Sequence, residues 1–448
     1  MIIAGEASGD MRAAGLAIAL KKLEPSIRLN GIGGTYMREA GVECFTDITE
    51  LAVIGIAEVI KNFSRIKKVF EQTLKQIDAT KPDAVVLVDY PGFNLRLARE
   101  IKKRGIKIIY YISPQVWAWR EKRVIKIKEL VDRMIVLFPF EQAIYSKYGM
   151  KVDYVGHPLV DEIIVHKNQT EVLKSIGLSV SKTTIGLMPG SRAKEVERHL
   201  PCMLEAAQIL FKNNQDRQFI LLKASSIPLK LIESIVNSQK VCHCEEQSNE
   251  SIVKCHCEEQ RNESIVKCHC EEQRNESIVK CHCEEQRDEA IVKCHCEEQR
   301  DEAIVKCHCE EQRDEAISNK KFPLKIYDGP TYDGINAMDT AIVASGTATL
   351  ETALLKKPMV IIYKTSWLTY AFAKAVIKIP FIGLVNIVAG KKVAEELIQN
   401  DANAVKIANA TESALFNQQT IEDLAAIKTL LGTSGASQRA AQVVLDVL

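Results

Sequence analysis

Short runs of β-branched and other apolar residues alternate along the chain with longer stretches whose apolar positions recur every three or four residues. The short runs predict strands at 2–4, 27–32, 84–88, 106–112, 133–137 and 153–155, with helices near 10–23, 58–78, 94–104, 121–131 and 140–148 between them. Gly156-His157-Pro158 then breaks the pattern and marks a junction. The alternation restarts with strands at 183–188, 218–223, 324–327, 341–343 and 359–363, again with helices between. Such alternation predicts an α/β protein of two doubly wound halves with parallel sheets, facing a cleft at the carboxyl ends of both.

One segment obeys neither period. From Cys242 a 13-residue unit, CHCEEQRDEAIVK or a near copy, recurs six times to residue 319. It falls between a predicted helix at 229–237 and the strand at 324–327, on a surface connection where added length costs little. A helical step of about 100° per residue turns each unit by roughly 220°, so its Ile and Val make no stripe. The block reads as a passive, disordered insertion that resembles a translated repeat element. Cys-His-Cys is chemistry for a soft metal, but adjacent-but-one cysteines lack the C-x₂-C knuckle and no unit completes a tetrahedral set.

Removing the block changes the composition. The 448 residues carry a formal net charge of +1 and 14 cysteines, but 12 of those cysteines and a net −11 lie in the repeats. The other 370 residues have two cysteines, 49 bases and 37 acids, a net of +12. Few cysteines suit a reducing compartment, and a basic body suits phosphate-bearing or anionic-surface partners. The most apolar stretch, 371–390, is interrupted by Lys374, Lys378 and Pro380, and no basic segment and apolar run precede Gly5-Glu6. The expectation is a soluble, cytoplasmic protein. Its positive charge is dispersed and no reader motif appears, so nucleic acid is not an expected partner.

Five segments carry chemistry. Ala4-Gly5-Glu6-Ala7-Ser8-Gly9-Asp10 runs from a strand into a helix start, suited to an anion, or simply capped by Ser8 or Asp10. Asp89, in Val88-Asp89-Tyr90-Pro91-Gly92-Phe93-Asn94, ends a strand and is placed either to take a proton or to form a turn. Trp117-Ala118-Trp119-Arg120 sets indoles beside cations, for a ligand with apolar and phosphate parts or for aromatic packing alone. Pro189-Gly190-Ser191-Arg192 and Ser345-Gly346-Thr347-Ala348-Thr349-Leu350-Glu351 each follow a strand; together they form a nucleotide-diphosphate constellation, with Glu351 available to ribose hydroxyls. Neither is a P-loop, because no Gly-Lys-Ser/Thr follows.

In order and spacing, AGEASGD, PGFN after an aspartate, SPQVWAWR, FPFE, VGHP, PGSR and SGTATLE resemble the lipid-A-disaccharide synthase family over all but 242–319. The resemblance implies a GT-B glycosyltransferase of two Rossmann-like domains, here 1–156 on the acceptor and membrane side and 157–241 with 320–448 for the UDP-sugar. The final helices are free to return to the first. It implies inverting transfer of 2,3-diacylglucosamine from its UDP derivative to 2,3-diacylglucosamine 1-phosphate, on the cytoplasmic face of the inner membrane, without metal or cofactor. The acylated glucosamine lipids and the membrane surface are then the partners, and a homodimer is allowed. Carried onto this chain, Asp89 is the general base and Arg192 stabilises the leaving diphosphate. Gly190, Ser191, Ser345, Gly346, Thr347 and Thr349 cradle it, with Glu351 on the ribose and Asn386 near the nucleotide. Glu6, Ser8, Asp10, Asn94, Trp117 and Arg120 lie on the acceptor side. Met188 stands where Leu is more usual, a volume-conserving change. The chain starts almost at AGEASGD, which leaves a first strand of only three or four residues.

Two runs are candidates for a membrane surface. Val59, Phe63, Ile66 and Phe70 form a helical stripe beside Lys61, Arg65, Lys67 and Lys68, which is equally the pattern of a core face. The basic run 371–379 is the other. Competing functions are a UDP-sugar epimerase of similar architecture, and a non-enzymatic metal-binding or scaffold protein.

Overall fold

The computed structural model describes residues 1–50, 63–119, 121–238, 255–258, 267–270, 322–367, 370, 374, 379–415 and 417–448. These form two compact units, Met1–Ser226 with Pro323–Leu448, and Ile227–Phe322. The first unit holds both large sheets.

The first sheet has seven parallel strands: β1 (Ile2–Ala4), β2 (Asn30–Gly33), β3 (Glu43–Asp47), β4 (Ala84–Val88), β5 (Lys107–Tyr111), β6 (Arg133–Val136) and β7 (Asp153–Tyr154). Their spatial order is β3-β2-β1-β4-β5-β6-β7. The apolar run of β4 is buried throughout, as a strand covered on both faces must be. One face packs Ile3, Val85, Leu87 and Tyr110 with Phe93, Leu97 and Ile101. The other packs Ile2, Val86 and Tyr111 with Leu16 and Leu20 of the helix Ala7–Leu23 and with Ala440 and Val444 of the last helix, Ala436–Leu445.

The second sheet has six parallel strands: β8 (Thr183–Met188), β9 (Arg217–Leu222), β12 (Leu324–Tyr327), β13 (Thr340–Ala344), β14 (Met359–Tyr363) and β15 (Glu395–Ile398). Their order, β12-β9-β8-β13-β14-β15, repeats the topology of the first six strands of the other sheet. In both, the order reverses between two central neighbours, β1 and β4 or β8 and β13. That crevice, at the carboxyl ends, is where doubly wound sheets bind ligands. Among the described repeat residues, β10 (Cys255–Glu258) and β11 (Lys267–Cys270) pair antiparallel, with Cys255 opposite Cys270 and His256 opposite His269. The expected disorder of the rest of the block falls outside the described residues.

Beside the unpredicted short helix Thr35–Glu39 and small shifts at element ends, three differences from the predicted elements have a clear physical cause. β3 and β15 were not predicted: both are sheet edges with only one residue buried, so they carry no apolar run. The predicted strand 27–32 begins only at Asn30, because Ile27 closes a turn onto the carbonyl of Glu24. The third concerns the stripe from Val59 to Phe70. Ile66 and Phe70 pack against the first core, Phe70 edge-on to Phe93 at 5.6 Å, so this part of the stripe is a core face. Val59 lies outside the described residues.

Candidate active site at the two switch points

At the first switch point Ala4 and Val88 are register partners, so Gly5-Glu6 and Asp89-Tyr90 leave the sheet side by side. Asp89 and Tyr90 both take the left-handed conformation, with φ of 46° and 45°. Asn94 holds this turn: its Nδ2 donates to the carbonyls of Val88 and Asp89 at 3.1 and 2.8 Å. The Tyr110 hydroxyl donates to the same Asp89 carbonyl at 2.6 Å. Gly5 is required here, since a Cβ would lie 2.4 Å from the Tyr90 ring. Burial pushes the Asp89 carboxyl up to about 6, and the negative charge of Glu6 adds to the shift. A carboxylate so placed is ionised at neutral pH and basic enough to take a proton.

The expected cap of the helix Ala7–Leu23 is corrected. Glu6 occupies the N-cap position with no side-chain bond, and Ser8 is exposed. Asp10 is buried and turned to another helix, Thr35–Glu39, where it accepts from the backbone N–H groups of Gly34, Tyr36 and Met37 at 2.6, 3.1 and 3.2 Å. Trp117 is half-buried, edge-on to Phe140 at 5.5 Å; Phe140 stacks on Phe138, and Phe138 meets His157 at the junction. Behind this row burial raises the Glu141 carboxyl to about 7, although it accepts from the amides of Leu137 and Phe138 and from the Ser113 and Trp117 side chains. Arg120 lies outside the described residues.

The second switch point joins β8 and β13, with Met188 opposite Val343. Gly190 takes φ 121°, and the helix Ala193–Asn213 starts at once behind Arg192, which has no side-chain cap bond. Arg192 is half-exposed and pairs with Glu195 at 3.0 Å, while Glu195 also accepts from the Ser191 amide at 3.2 Å. Across from it Ser345 donates from its amide to Ile362 and from its hydroxyl to Ile382, both at 3.0 Å. Thr349 bonds the Gly346 carbonyl at 2.8 Å, and Thr347 is exposed. A Cβ at Gly346 would meet nothing within 4 Å, so this loop presents open backbone. The Glu351 carboxyl, one turn on, is raised by burial and lowered by Arg12.

Both ends of the Asn386 amide are taken up by neighbouring groups. Its amide donates to Ala394 and Glu396, and its carbonyl oxygen accepts from the amides of Val393 and Ala394, all within 2.9 Å. Glu396 in turn accepts from the Ile382 and Gly383 amides at 2.9 Å, so the pair sets the loop that Ser345 bonds. The sequence reading passed over His199. Its Nδ1–H donates to the Pro189 carbonyl at 2.9 Å and its Nε2 accepts from the Lys364 amide at 3.0 Å, which ties the exits of β8 and β14 together. Only the neutral ring can do both, and burial lowers its pKa accordingly.

A groove of about 500 Å³ lined by Met359, Lys392, Glu395, Lys406 and Asn409 lies at the amino ends of β14 and β15, at the opposite pole of the sheet, and contains none of these residues. Among the described residues no cluster of three or more His, Cys, Asp or Glu is placed to hold a metal.

The profile of the lipid-A-disaccharide synthetase family matches residues 1–268 and 297–445. The chain belongs to the lipid-A-disaccharide synthase family. The family's enzyme from Syntrophus aciditrophicus is 38% identical over 453 aligned positions, covering 100% of this chain and 97% of that one. Lipid-A-disaccharide synthase 1 of Legionella pneumophila subsp. pneumophila is 36% identical over 97% of this chain and 94% of its own. Solved structures show the same fold at low identity. The S. aureus MnaA–UDP co-structure matches with a TM-score of 0.59 at 10% identity, over 100% of this chain and 97% of its own. The UDP-GlcNAc 2-epimerase of Neisseria meningitidis matches with 0.56 at 11% identity, over 99% of both chains. Acinetobacter baumannii MurG matches with 0.52 at 12% identity, over 100% and 98%. The fold of this lipid-A-disaccharide synthase family member is thus GT-B-like, and the likeness to epimerases extends to the fold alone. It is a glycosyltransferase of lipid A biosynthesis.

Proposed function

We propose that the chain is an inverting glycosyltransferase that moves 2,3-diacylglucosamine from its UDP derivative to the 6-hydroxyl of 2,3-diacylglucosamine 1-phosphate. The products are a β-1,6-linked disaccharide 1-phosphate and UDP. One observation carries the reading: a half-buried carboxyl with its pKa raised to about 6, Asp89, follows β4 at one switch point, while the loops after β8 and β13 leave the sheet at the other, the second with open backbone at Gly346. In this reading Asp89 takes the proton of the acceptor hydroxyl as that oxygen attacks the anomeric carbon. The bond to the UDP oxygen breaks on the opposite face, and Arg192 with the backbone of Gly190, Ser191, Gly346 and Thr347 meets the charge on the leaving diphosphate. Glu351 accepts from the ribose hydroxyls. Asn94 and Asn386 act through the loops they hold. No metal or cofactor takes part, so EDTA leaves the rate unchanged.

The acceptor and donor are both acylated, and the reading places the enzyme as a peripheral protein on the cytoplasmic face of the inner membrane. Support comes from the +12 charge of the chain outside the repeats and from Trp367, 74% exposed in the segment after β14. No helix among the described residues is long and apolar enough to cross a membrane. A homodimer is compatible with this reading and is tested by sedimentation. The function is tested in mixed micelles with UDP-2,3-diacylglucosamine, with and without the acceptor phosphate, following the lipid by mass. A tetraacyl disaccharide phosphate that needs both substrates supports it; UDP release without acceptor, or no product from folded, UDP-binding protein, sinks it.

A further inference from the structure

The Ser191 amide and the Arg192 guanidinium, which the reading above turns toward the leaving diphosphate, already share a partner. The Glu195 carboxylate, in the first turn of the helix Ala193–Asn213, accepts from the Ser191 N–H at 3.2 Å through Oε2 and from Arg192 at 3.0 Å through Oε1. It lies over Gly190, where a Cβ would come within 2.7 Å of Oε2, so the glycine is what admits this side chain to the loop. The loop backbone is tied at two carbonyls. The Ser226 hydroxyl donates to that of Ser191 at 2.6 Å, and His199 donates to that of Pro189 at 2.9 Å. The loop is therefore held, and the Glu195 side chain, 27% exposed on a flexible stem, is the part free to move. A partly exposed local ion pair is weak enough to be exchanged for a better anion. Amides at the start of a long helix beside a guanidinium favour a diphosphate over one carboxylate.

We infer that Glu195 is an internal competitor of the diphosphate: the nucleotide displaces its carboxylate from the Ser191 amide and the Arg192 guanidinium in order to bind. The inference rests on the diphosphate assignment of Ser191 and Arg192 made above. An amide N–H has a single proton to donate, so Ser191 cannot serve the carboxylate and a phosphate oxygen together. Once displaced, the carboxylate remains tethered one helical turn from the bound diphosphate, and its like charge weakens that complex. The consequence falls on the product. UDP carries more charge on its terminal phosphate than the donor does and is repelled more strongly, so Glu195 hastens its departure after transfer.

The test is the affinity of the full chain for UDP and for uridine by calorimetry, with folding of each variant checked by thermal melting. Glu195→Gln keeps an acceptor for the Ser191 amide but loses the charge, and Glu195→Ala removes both. UDP is expected to bind on the order of threefold tighter to the first and about tenfold tighter to the second, with the gain shrinking as salt rises. Uridine, which lacks the diphosphate, is expected to bind all three proteins alike. In the transferase assay UDP is expected to become a stronger product inhibitor by the same factors. UDP binding that is unchanged or weaker in both variants overturns the inference and leaves Glu195 as a helix cap that supports Arg192. Uridine tightening as much as UDP overturns it as well. If Glu195→Ala does not fold, Glu195→Gln decides it alone. An Arg192→Ala variant that binds UDP as the wild type does removes the diphosphate assignment itself, a separate outcome from a weakened Arg192→Ala beside an unaltered Glu195→Gln.

Discussion

At Asp89, the burial that makes a carboxyl a usable base also destabilises its ionised form. The folded-state value is about 6 against an ordinary 3.8, so the folded protein holds the proton more tightly. That contribution to stability is fully present below pH 3.8 and is lost as pH rises through about 6. Asp89→Asn is therefore expected to raise the melting temperature at pH 8 while having little effect near pH 4, and to lower kcat by about 10²–10⁴-fold. In the wild type kcat/KM is expected to fall as pH drops through about 6, which a pH–rate profile checks. Arg192→Ala should cost on the order of 10²–10³-fold in kcat by steady-state kinetics, with Lys recovering part of it. The places of Asp89, Arg192 and Glu351 beyond the ends of β4, β8 and β13 were legible in the sequence, because turn residues follow each apolar run. The bonds of Asp10 and Asn386 were not legible, since each meets backbone amides that only the folded loops bring within reach.

At the scale of elements, the strands buried on both faces, such as β4, announced themselves as continuous apolar runs, and their helices followed from the gaps between them. β3 and β15 did not, because an edge strand half-exposed to water has no need of apolar residues. Asp10 joins two elements, and Asp10→Ala is expected to cost about 1–2 kcal/mol in chemical denaturation by leaving the amides of the helix Thr35–Glu39 uncapped. His199 joins two others. Its folded-state pKa is lowered from 6.5, so its contribution to stability is present above that value and is lost as pH falls below it. His199→Gln, which cannot both donate and accept in the same geometry, is expected to loosen the loops after β8 and β14 and to raise KM for the UDP-sugar more than it lowers kcat. Urea melts at pH 7.5 and 5.5 separate this residue from the rest, because the variant should lose the acid-dependent part.

At the scale of the molecule, the repeats hold 12 of the 14 cysteines and a net −11, so the totals of the whole chain hide the basic, cysteine-poor character of the rest. β9 and β12 pair directly, with Leu222 opposite Tyr327, although the intervening residues include the whole repeat block. Loop-closure entropy grows only by about 0.6 kcal/mol per doubling of length, so the second sheet tolerates this connection. Deleting 242–319 is expected to leave UDP affinity and kcat within about twofold, as both sheets close without it. The same deletion removes a net −11 and leaves +12, so binding to anionic vesicles in a flotation assay should tighten and become more sensitive to salt.

The last helix, Ala436–Leu445, has a consequence that concerns time more than space. Its Ala440, Ala441 and Val444 complete the core around Leu16 and Leu20, so the half of the protein that is made first is finished by residues that are made last. At about 5–20 residues per second, roughly 20 to 80 s of synthesis separate the two helices. Throughout that interval the first sheet leaves the ribosome with one apolar face open, and translating the repeats lengthens the wait. The nascent chain is thus a natural client for chaperones, and any pause in reading the repetitive message prolongs that exposure without altering the finished enzyme.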